Sequence, residues 1–477
     1  MQKKNSRHQI VIGDGLTAAE FAKTTTLASG DRLTIIGPNI QELGRGVAYS
    51  KIPTVQSMHL AFLLNSPSES VDPDFGRWVH DNWGSITNRM AGRYPDWLAA
   101  GQAYISKGEY AALNAPREFF GDYLCASANR SLDQLVRQGV TVQRVADHAT
   151  SIDYDATQKQ FHVLLESGET LVASCVDIAT GGVQPQFLFD ADGQYSFSQL
   201  YGNEQAIAAR VKQGGAVVCL GTNAAMLDTL RLTQSVSSNE KLVFLAVSPS
   251  AKLPEPLIPS QPRKRAVVTL KPHYMNAQDL FAALSQQMNE LRQQGYRMAD
   301  MRGPFKTALI NAGLESLLSG PNEARKVLGL MERLFLRGTR DSLADFQSLQ
   351  DKGQVRLVAG RLDDLKIGTD RLSLTIAHSN GTKETLCATA LVNCSGAGKA
   401  PRFDTMTETL LEKGWLSRCA VSGGLEVGEG LKAGPEGLRY LSPAVTVIGE
   451  RALAFSLYDA SELRAAVKAA STLFSQV

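Results

Sequence analysis

Short apolar runs closed by a glycine recur along the chain, and each is followed by a stretch with helical spacing. The first are "HQIVIG" (8–13) and "DRLTIIG" (31–37), flanking "LTAAEFAKTTTLA" (16–28). A four- to five-residue apolar run bounded by a turn reads as a buried strand, and the intervening periodicity reads as a helix, so the chain opens β–α–β. The same order returns at "GAVVCLG" (215–221), a helix through Leu230, and "KLVFLAVS" (241–248). Between them, residues 38–116 are rich in Pro, Ser, Asn and Trp and predict a long irregular region, the kind of loop that carries function. A helix follows over "REFFGDYLCASANRSLDQLVRQG" (117–139).

Alternating segments then predict strands at "VTVQRVA", "ATSIDYD", "QFHVLLE" and "TLVASCVDIAT", a small antiparallel sheet ending near Thr180. A second set, "QVRLVAG", "RLDDLKIG", "RLSLTIAHS" and "ETLCATALVNCSG", repeats that pattern over 354–396. Residues 276–350 are largely helical, with an amphipathic stretch "FAALSQQMNELRQQGYRMADM" that suits packing, a pocket cap or a homodimer face. The chain closes with a strand "AVTVIGE" and a helix "DASELRAAVKAASTLF". The simplest arrangement is α/β with two Rossmann-like domains. A discontinuous domain spans 1–199 and 350–477, and 200–349 is inserted between its halves with the helical segment.

Length and charge narrow the classes. A chain of 477 residues exceeds one ordinary core. A net charge of +2 argues against nucleic acid or an acidic membrane as the main partner. No apolar run reaches bilayer length, and "MQKKNSRHQIVIG" does not resemble a signal peptide. Six cysteines lie scattered without a C-x-x-C pair, which suits reduced thiols in the cytoplasm and removes zinc-ribbon chemistry. The histidines show no metal-ligand spacing, so no metal is expected.

The first turn reads Gly13-x-Gly15-x-x-Ala18 between a strand and a helix, the context in which this spacing carries meaning. Gly13 permits the tight turn, Gly15 admits a pyrophosphate to the backbone, and Ala18 lets helix and strand pack closely. The helix N-terminus then presents unpaired N–H groups to an anion. A plain packing turn is the competing reading. The acid expected at the end of the second strand is missing; Asn39 and Glu42 are the nearest substitutes.

Several further stretches carry a resemblance: "GRGVAYS" (44–50), "HLAFLLNSPSES" (59–70), "APREFFGDYL" (115–124), "DIATGG" (177–182) and "LVNCSGAG" (391–398). In this order they resemble the bacterial FAD/NAD(P)-binding family that includes FAD-dependent urate hydroxylase. They are similar more distantly to class B flavoprotein monooxygenases, including amino-acid N-hydroxylases. The resemblance fades between about 262 and 350. It implies FAD in the discontinuous domain, with Gly13, Gly15, Leu16, Thr17 and Ala18 at the pyrophosphate and Gly44, Arg45 and Gly46 beside it. It places Leu64 and Asn65 near the flavin ring, Thr180 and Gly181 in the inter-domain segment, and Gly449 where the last helix points at the flavin. From the residues alone, Arg45 is equally a solvated loop arginine and Asn65 a turn residue. His59 and Asn65 are the polar candidates for catalysis, although a lone histidine is more often structural.

The resemblance also implies NAD(P)H at Gly221, Thr222 and Asn223. Two departures stand out. Asn223 occupies the second glycine position, where a side chain would crowd a pyrophosphate while tolerating left-handed geometry. Ser248-Pro249 stands where related enzymes carry a Ser-Arg pair; Lys252 or Arg263-Lys264-Arg265 are the available cations. In the helical segment the family's Trp-rich and His/Arg-rich pattern is replaced by "MERLFLRGTRDSLADF". The expected activity is hydroxylation of a small-molecule substrate by FAD, NAD(P)H and O2, with N-hydroxylation of an amine as a specific form. An oxidase or dehydrogenase with a degenerate nicotinamide site is the alternative, and a non-catalytic flavoprotein the remote third.

Overall fold

A computed structural model of the chain describes residues 6–51, 61–92, 94–184, 194–237, 243–257, 264–335, 337–396, 401–457 and 460–474. Strand β1 (His8–Ile12) leads into helix α1 (Leu16–Lys23) and strand β2 (Arg32–Ile36). Helix α2 (Arg117–Arg137) precedes β3 (Thr141–Val145). Strands β4 (Ala149–Asp155), β5 (Gln160–Leu165) and β6 (Thr170–Ala173) form an antiparallel meander, and β7 (Cys175–Ile178) rejoins β1 in parallel.

The second unit repeats this plan. Strand β8 (Ser196–Phe197) precedes β9 (Ala216–Leu220), helix α3 (Ala224–Val236) and β10 (Val243–Ser248). After the helices α4 (Ala277–Gln293), α5 (Met298–Ala312) and α6 (Pro321–Leu334) comes β11 (Val355–Ala359). A second meander, β12 (Arg361–Ile367), β13 (Leu372–Ala377) and β14 (Lys383–Ala388), leads to β15 (Ala390–Asn393). Helix α7 (Thr405–Glu412), strands β16 (Leu438–Tyr440) and β17 (Val445–Ile448), and helix α8 (Ala460–Phe474) complete the chain.

Two five-stranded parallel sheets result, ordered β16-β7-β1-β2-β3 and β11-β10-β9-β15-β8. In each, a three-stranded meander is inserted before the strand that returns beside the first. The repeat seen in the sequence is therefore real, but its owner differs from the expected one. Residues 355–393 complete the second sheet: β11 pairs with β10, and β15 with β9. The first domain resumes only after that, and takes β16 as its edge strand. Partner choice among parallel strands depends on crossovers through distant chain, which local alternation does not encode.

The helical segment also departs from the expected grouping. Helices α4–α6 build their own core, joined by Ala452 and Ala454 after β17. Lys306 pairs with Glu462 of α8 at 2.8 Å, and Glu315 accepts the Ala452 N–H at 2.7 Å. The segment thus stands on the end of the first domain. Likewise, the region expected to be irregular carries helices Phe75–Asp81, Trp83–Arg89 and Pro95–Ser106. They pack through Phe75, Val79, Trp83 and Ile86 onto Phe119, Phe120 and Tyr123 of α2. Helices this short depend on such tertiary contacts and leave little periodicity to read.

Two buried charge clusters brace the first domain. Arg439 on β16 grips Asp177 on β7 through two bonds (2.5 and 2.9 Å), and Gln9 on β1 donates to the same carboxylate. Arg464 on α8 bonds Glu20 on α1 at 3.0 Å and Asp72 at 2.5 Å, while the Tyr123 hydroxyl donates to Asp72 at 2.6 Å. Arg464→Ala removes the cation that two buried carboxylates share. It is expected to cost about 3 kcal/mol, read as a lower urea midpoint; an unchanged midpoint contradicts the pairing.

Candidate functional site

The two strand–turn–helix units are built alike at their first glycine. Gly13 (φ 124°) and Gly221 (φ 101°) both occupy backbone that side-chain-bearing residues rarely adopt. A Cβ on Gly13 would stand 2.4 Å from the Ala179 carbonyl oxygen, and one on Gly221 would stand 2.6 Å from that of Cys394. Both glycines lie under the strand that returns beside the first, β7 or β15. Their N–H groups donate to Ile36 (2.8 Å) and Val247 (2.7 Å), the ends of β2 and β10. Ala179 and Cys394 donate in turn to Ile12 and Leu220 at 2.8 and 2.7 Å.

The next turn position separates the two. Gly15 (φ −83°, ψ −170°) and Asn223 (φ −91°, ψ −169°) share one extended conformation. The left-handed geometry for which asparagine seemed suited is not used. Gly15 provides no side-chain cap, so the first turn of α1 keeps its N–H groups for an outside acceptor. Leu16, Thr17 and Ala18 form that turn; Ala18 is fully buried against the sheet. Facing Gly15 is Gly46 (φ 53°), whose Cβ would lie 3.1 Å from the Gly15 Cα. Two bare backbones thus face each other across a cradle that a methyl group would fill. In the second unit the Asn223 Oδ1 accepts the Ala225 N–H at 3.1 Å. The Thr222 hydroxyl donates to the Lys252 carbonyl at 2.6 Å and lies 3.2 Å from the Ser248 hydroxyl. That turn is satisfied by its own residues, and Lys252 is fixed beside it through its backbone.

Arg45 differs from its expected role. It is only 4% exposed, and its guanidinium donates to the carbonyls of Tyr49 (3.1 Å) and Glu118 (3.2 Å) and pairs with Asp122. Gly121 makes room for it: a Cβ there would meet the Arg45 Nη1 at 2.5 Å. Burial alone would raise the Asp122 carboxyl, but hydrogen bonds from Arg89 and Arg45 outweigh it and hold it below the usual range. Arg45 therefore anchors the Gly44–Gly46 loop to α2, because a buried guanidinium needs its counter-charge close by. Gly44 (φ 100°) ties the loop to the first turn by donating to the Asp14 carbonyl at 2.8 Å.

The other expected residues lie in turns and loops of the first domain. Leu64 is buried and Asn65 half-buried, on a segment paired with residues 114–117. The Thr180 hydroxyl donates to Asp404 at 3.0 Å, which ties the outgoing inter-domain segment to the cap of α7; Gly181 (φ 113°) has open space around it. The returning segment is tied too, Gln184 donating to the Arg402 carbonyl at 2.8 Å. Gly449 adopts φ 61° after β17 and donates to Val427 at 2.8 Å. His59 lies outside the described residues. Among the described residues no group of three metal-ligating side chains comes together, and no helix is long and apolar enough to cross a membrane.

Three acidic residues escaped the sequence reading. Asp14, inside the turn, stands at the end of β2: its Oδ2 accepts the Asn39 N–H at 2.6 Å, and its side chain covers Gly37. Glu42, considered for that place, is half-exposed beside Arg45 and Lys51. Glu20 and Asp228 follow Gly13 and Gly221 at one common spacing, and both are buried, on Arg464 and on Tyr201 respectively. That shared spacing was the available signal.

Residues 10–183 match a family model described as FAD-NAD(P)-binding. No curated protein matches the chain. Among solved structures, the ornithine N-hydroxylase KtzI of Kutzneria sp. 744 is 13% identical over 99% of both chains, with a TM-score of 0.52. The ornithine hydroxylase PvdA of Pseudomonas aeruginosa is 12% identical over 99% of both, at 0.52. The FAD-bound cadaverine monooxygenase DfoA of Erwinia amylovora is 10% identical over 98% of this chain and 95% of its own, at 0.53. The likeness is one of fold.

Because Asn223 caps α3, Asn223→Ala should cost about 1 kcal/mol while Asn223→Gly costs only a few tenths. Thermal unfolding of the two variants side by side checks this; equal losses would mean that the amide is not the cap.

Proposed function

We propose that the protein is an FAD-dependent monooxygenase that uses NAD(P)H and O2 to hydroxylate a small molecule, with N-hydroxylation of an amine as its specific form. The observation that carries this reading is the bare cradle of Gly15 and Gly46 over an uncapped helix. A pyrophosphate needs close backbone approach and unpaired N–H donors, and both are present there. Three fold neighbours bearing names of ornithine or cadaverine hydroxylating enzymes support the amine class. Fold alone does not fix an activity, so the site carries the argument.

In this reading, the N–H groups of Leu16, Thr17 and Ala18 hold the pyrophosphate, and Gly46 closes the other side. Arg45, Asp122 and Asp14 keep the two glycines facing. Leu64 shields the ring, and the Asn65 amide offers a donor and an acceptor to its pyrimidine edge. The linker turn at Thr180 and Gly181 and the Gly449 turn would complete the site. When bound, FAD supplies hydride acceptance and oxygen activation. The protein's task is to orient the substrate and exclude water. All six cysteines are free, consistent with a cytoplasmic enzyme.

A specific observation favours the second reading, an oxidase or dehydrogenase reduced without nicotinamide. Asn223 and Thr222 already satisfy the turn where NAD(P)H would lie.

Gly15→Ala has no steric conflict, since the nearest atom is 3.8 Å from the new Cβ. It should leave the melting temperature of the FAD-free protein unchanged and weaken FAD binding about tenfold or more, the loss of one charge-assisted hydrogen bond at about 1.5–3 kcal/mol. Undiminished affinity would move the pyrophosphate elsewhere. For the activity, purified protein should be yellow and should bleach with NADPH or NADH under anaerobic conditions. Asn223→Gly should keep FAD and bind the nicotinamide nucleotide at least as tightly. A yellow protein bleached only by a substrate, with or without that substitution, supports the second reading instead.

A further inference from the structure

Phe62 combines a left-handed backbone (φ 45°) with almost complete burial, at 2% exposed. A bulky residue there carries strain on the order of 1–3 kcal/mol and persists only where its surroundings over-determine it. Its ring stacks on Tyr94 (3.9 Å between centroids, 16° between planes) and meets Trp97 edge-on at 6.4 Å. Its carbonyl accepts the Arg117 N–H at 2.7 Å. The next two carbonyls are held as well: Leu63 by the Arg117 Nε at 3.3 Å, and Leu64 by the Asn114 Nδ2 at 2.9 Å. The Leu64 N–H donates to Ala115 at 2.9 Å. Three successive carbonyls are thus fixed by one turn at the head of α2, and Arg117 supplies two of the three donors.

Arg117 also lies within electrostatic reach of the second unit. Its charge acts on Tyr201, whose hydroxyl donates to the buried Asp228 of α3 at 2.8 Å.

We propose that Arg117 is a positioning residue that holds the strained Phe62–Asn65 segment at the flavin ring and so sets the ring's environment. The inference rests on the reading that this segment faces FAD. Arg117 bonds this segment through its main chain and Nε, whereas the pyrophosphate donors sit on the first turn of α1, so ring properties and FAD retention separate.

The test uses the holoprotein with Arg117→Ala and Arg117→Lys. Arg117→Ala should keep its FAD but shift the visible absorption bands and the midpoint potential of the bound flavin. It should also change the rate of air re-oxidation after dithionite reduction by about tenfold or more, since a misplacement of about 1 Å can cost about 100-fold. Arg117→Lys, which keeps the charge and a terminal donor on a long side chain, should recover most of each effect. Should the alanine variant fail to fold, Arg117→Gln replaces it: the charge and the Nε donor are lost while the bulk of the side chain stays, the main-chain bond being kept in every variant. Variants with wild-type spectrum, potential and re-oxidation rate overturn the proposal and leave the FAD reading intact. Equal shifts in the alanine or glutamine and lysine variants also overturn it, since a merely structural disturbance is not rescued by a cation. A wild-type protein that takes up no FAD removes the parent reading, and the proposal with it.

Discussion

Backbone crossing over backbone governs the architecture. At Gly13 and at Gly221 the strand returning from a meander lies so close that no Cβ fits between. That contact brings β7 beside β1 and β15 beside β9, and it aims the following helix at the crossing. Both inter-domain segments leave from these crossings, and Thr180 with Asp404 and Gln184 with Arg402 tie them together. The close approach of each returning strand is therefore set by glycine positions rather than by side-chain packing.

What each crossing then offers a ligand depends on one atom set two residues further on. Gly15 and Asn223 have the same backbone angles, so the difference is chemical and not conformational. A bare glycine leaves helix N–H groups to an external anion. An asparagine amide supplies the acceptor from within, and a phosphate must compete with it. The first turn is thereby open and the second self-satisfied, although the fold around them is duplicated.

Charged residues near these turns serve mostly as internal braces. Arg45 is held by Asp122 and two carbonyls, and Arg464 joins α8 to α1. A buried cation without its counter-charge would be costly, so such side chains rarely remain available to a ligand unless one completes the set. Placing them as braces also explains why the Gly44–Gly46 loop can hold its two positive-φ glycines against the first turn.

The strand–turn–helix units, the helical segment and the spacing of Gly13, Gly15 and Gly221 were legible in the sequence, because periodicity and glycine geometry are local properties. The repeat of 141–181 in 354–396 was legible too, yet its place was not. Strand order in this sheet is settled by long crossovers such as the one from Ser248 to Val355, and the packing that assigns β11 and β15 to the second sheet leaves no mark in alternation. The short helices of residues 75–106 were hidden because aromatic packing on α2, and not intrinsic propensity, stabilises them. The direction of Arg45, the cap made by Asn223 and the strain at Phe62 likewise belong to tertiary structure. A residue type states which bonds a side chain can make; only its neighbours in space decide which of them it does make.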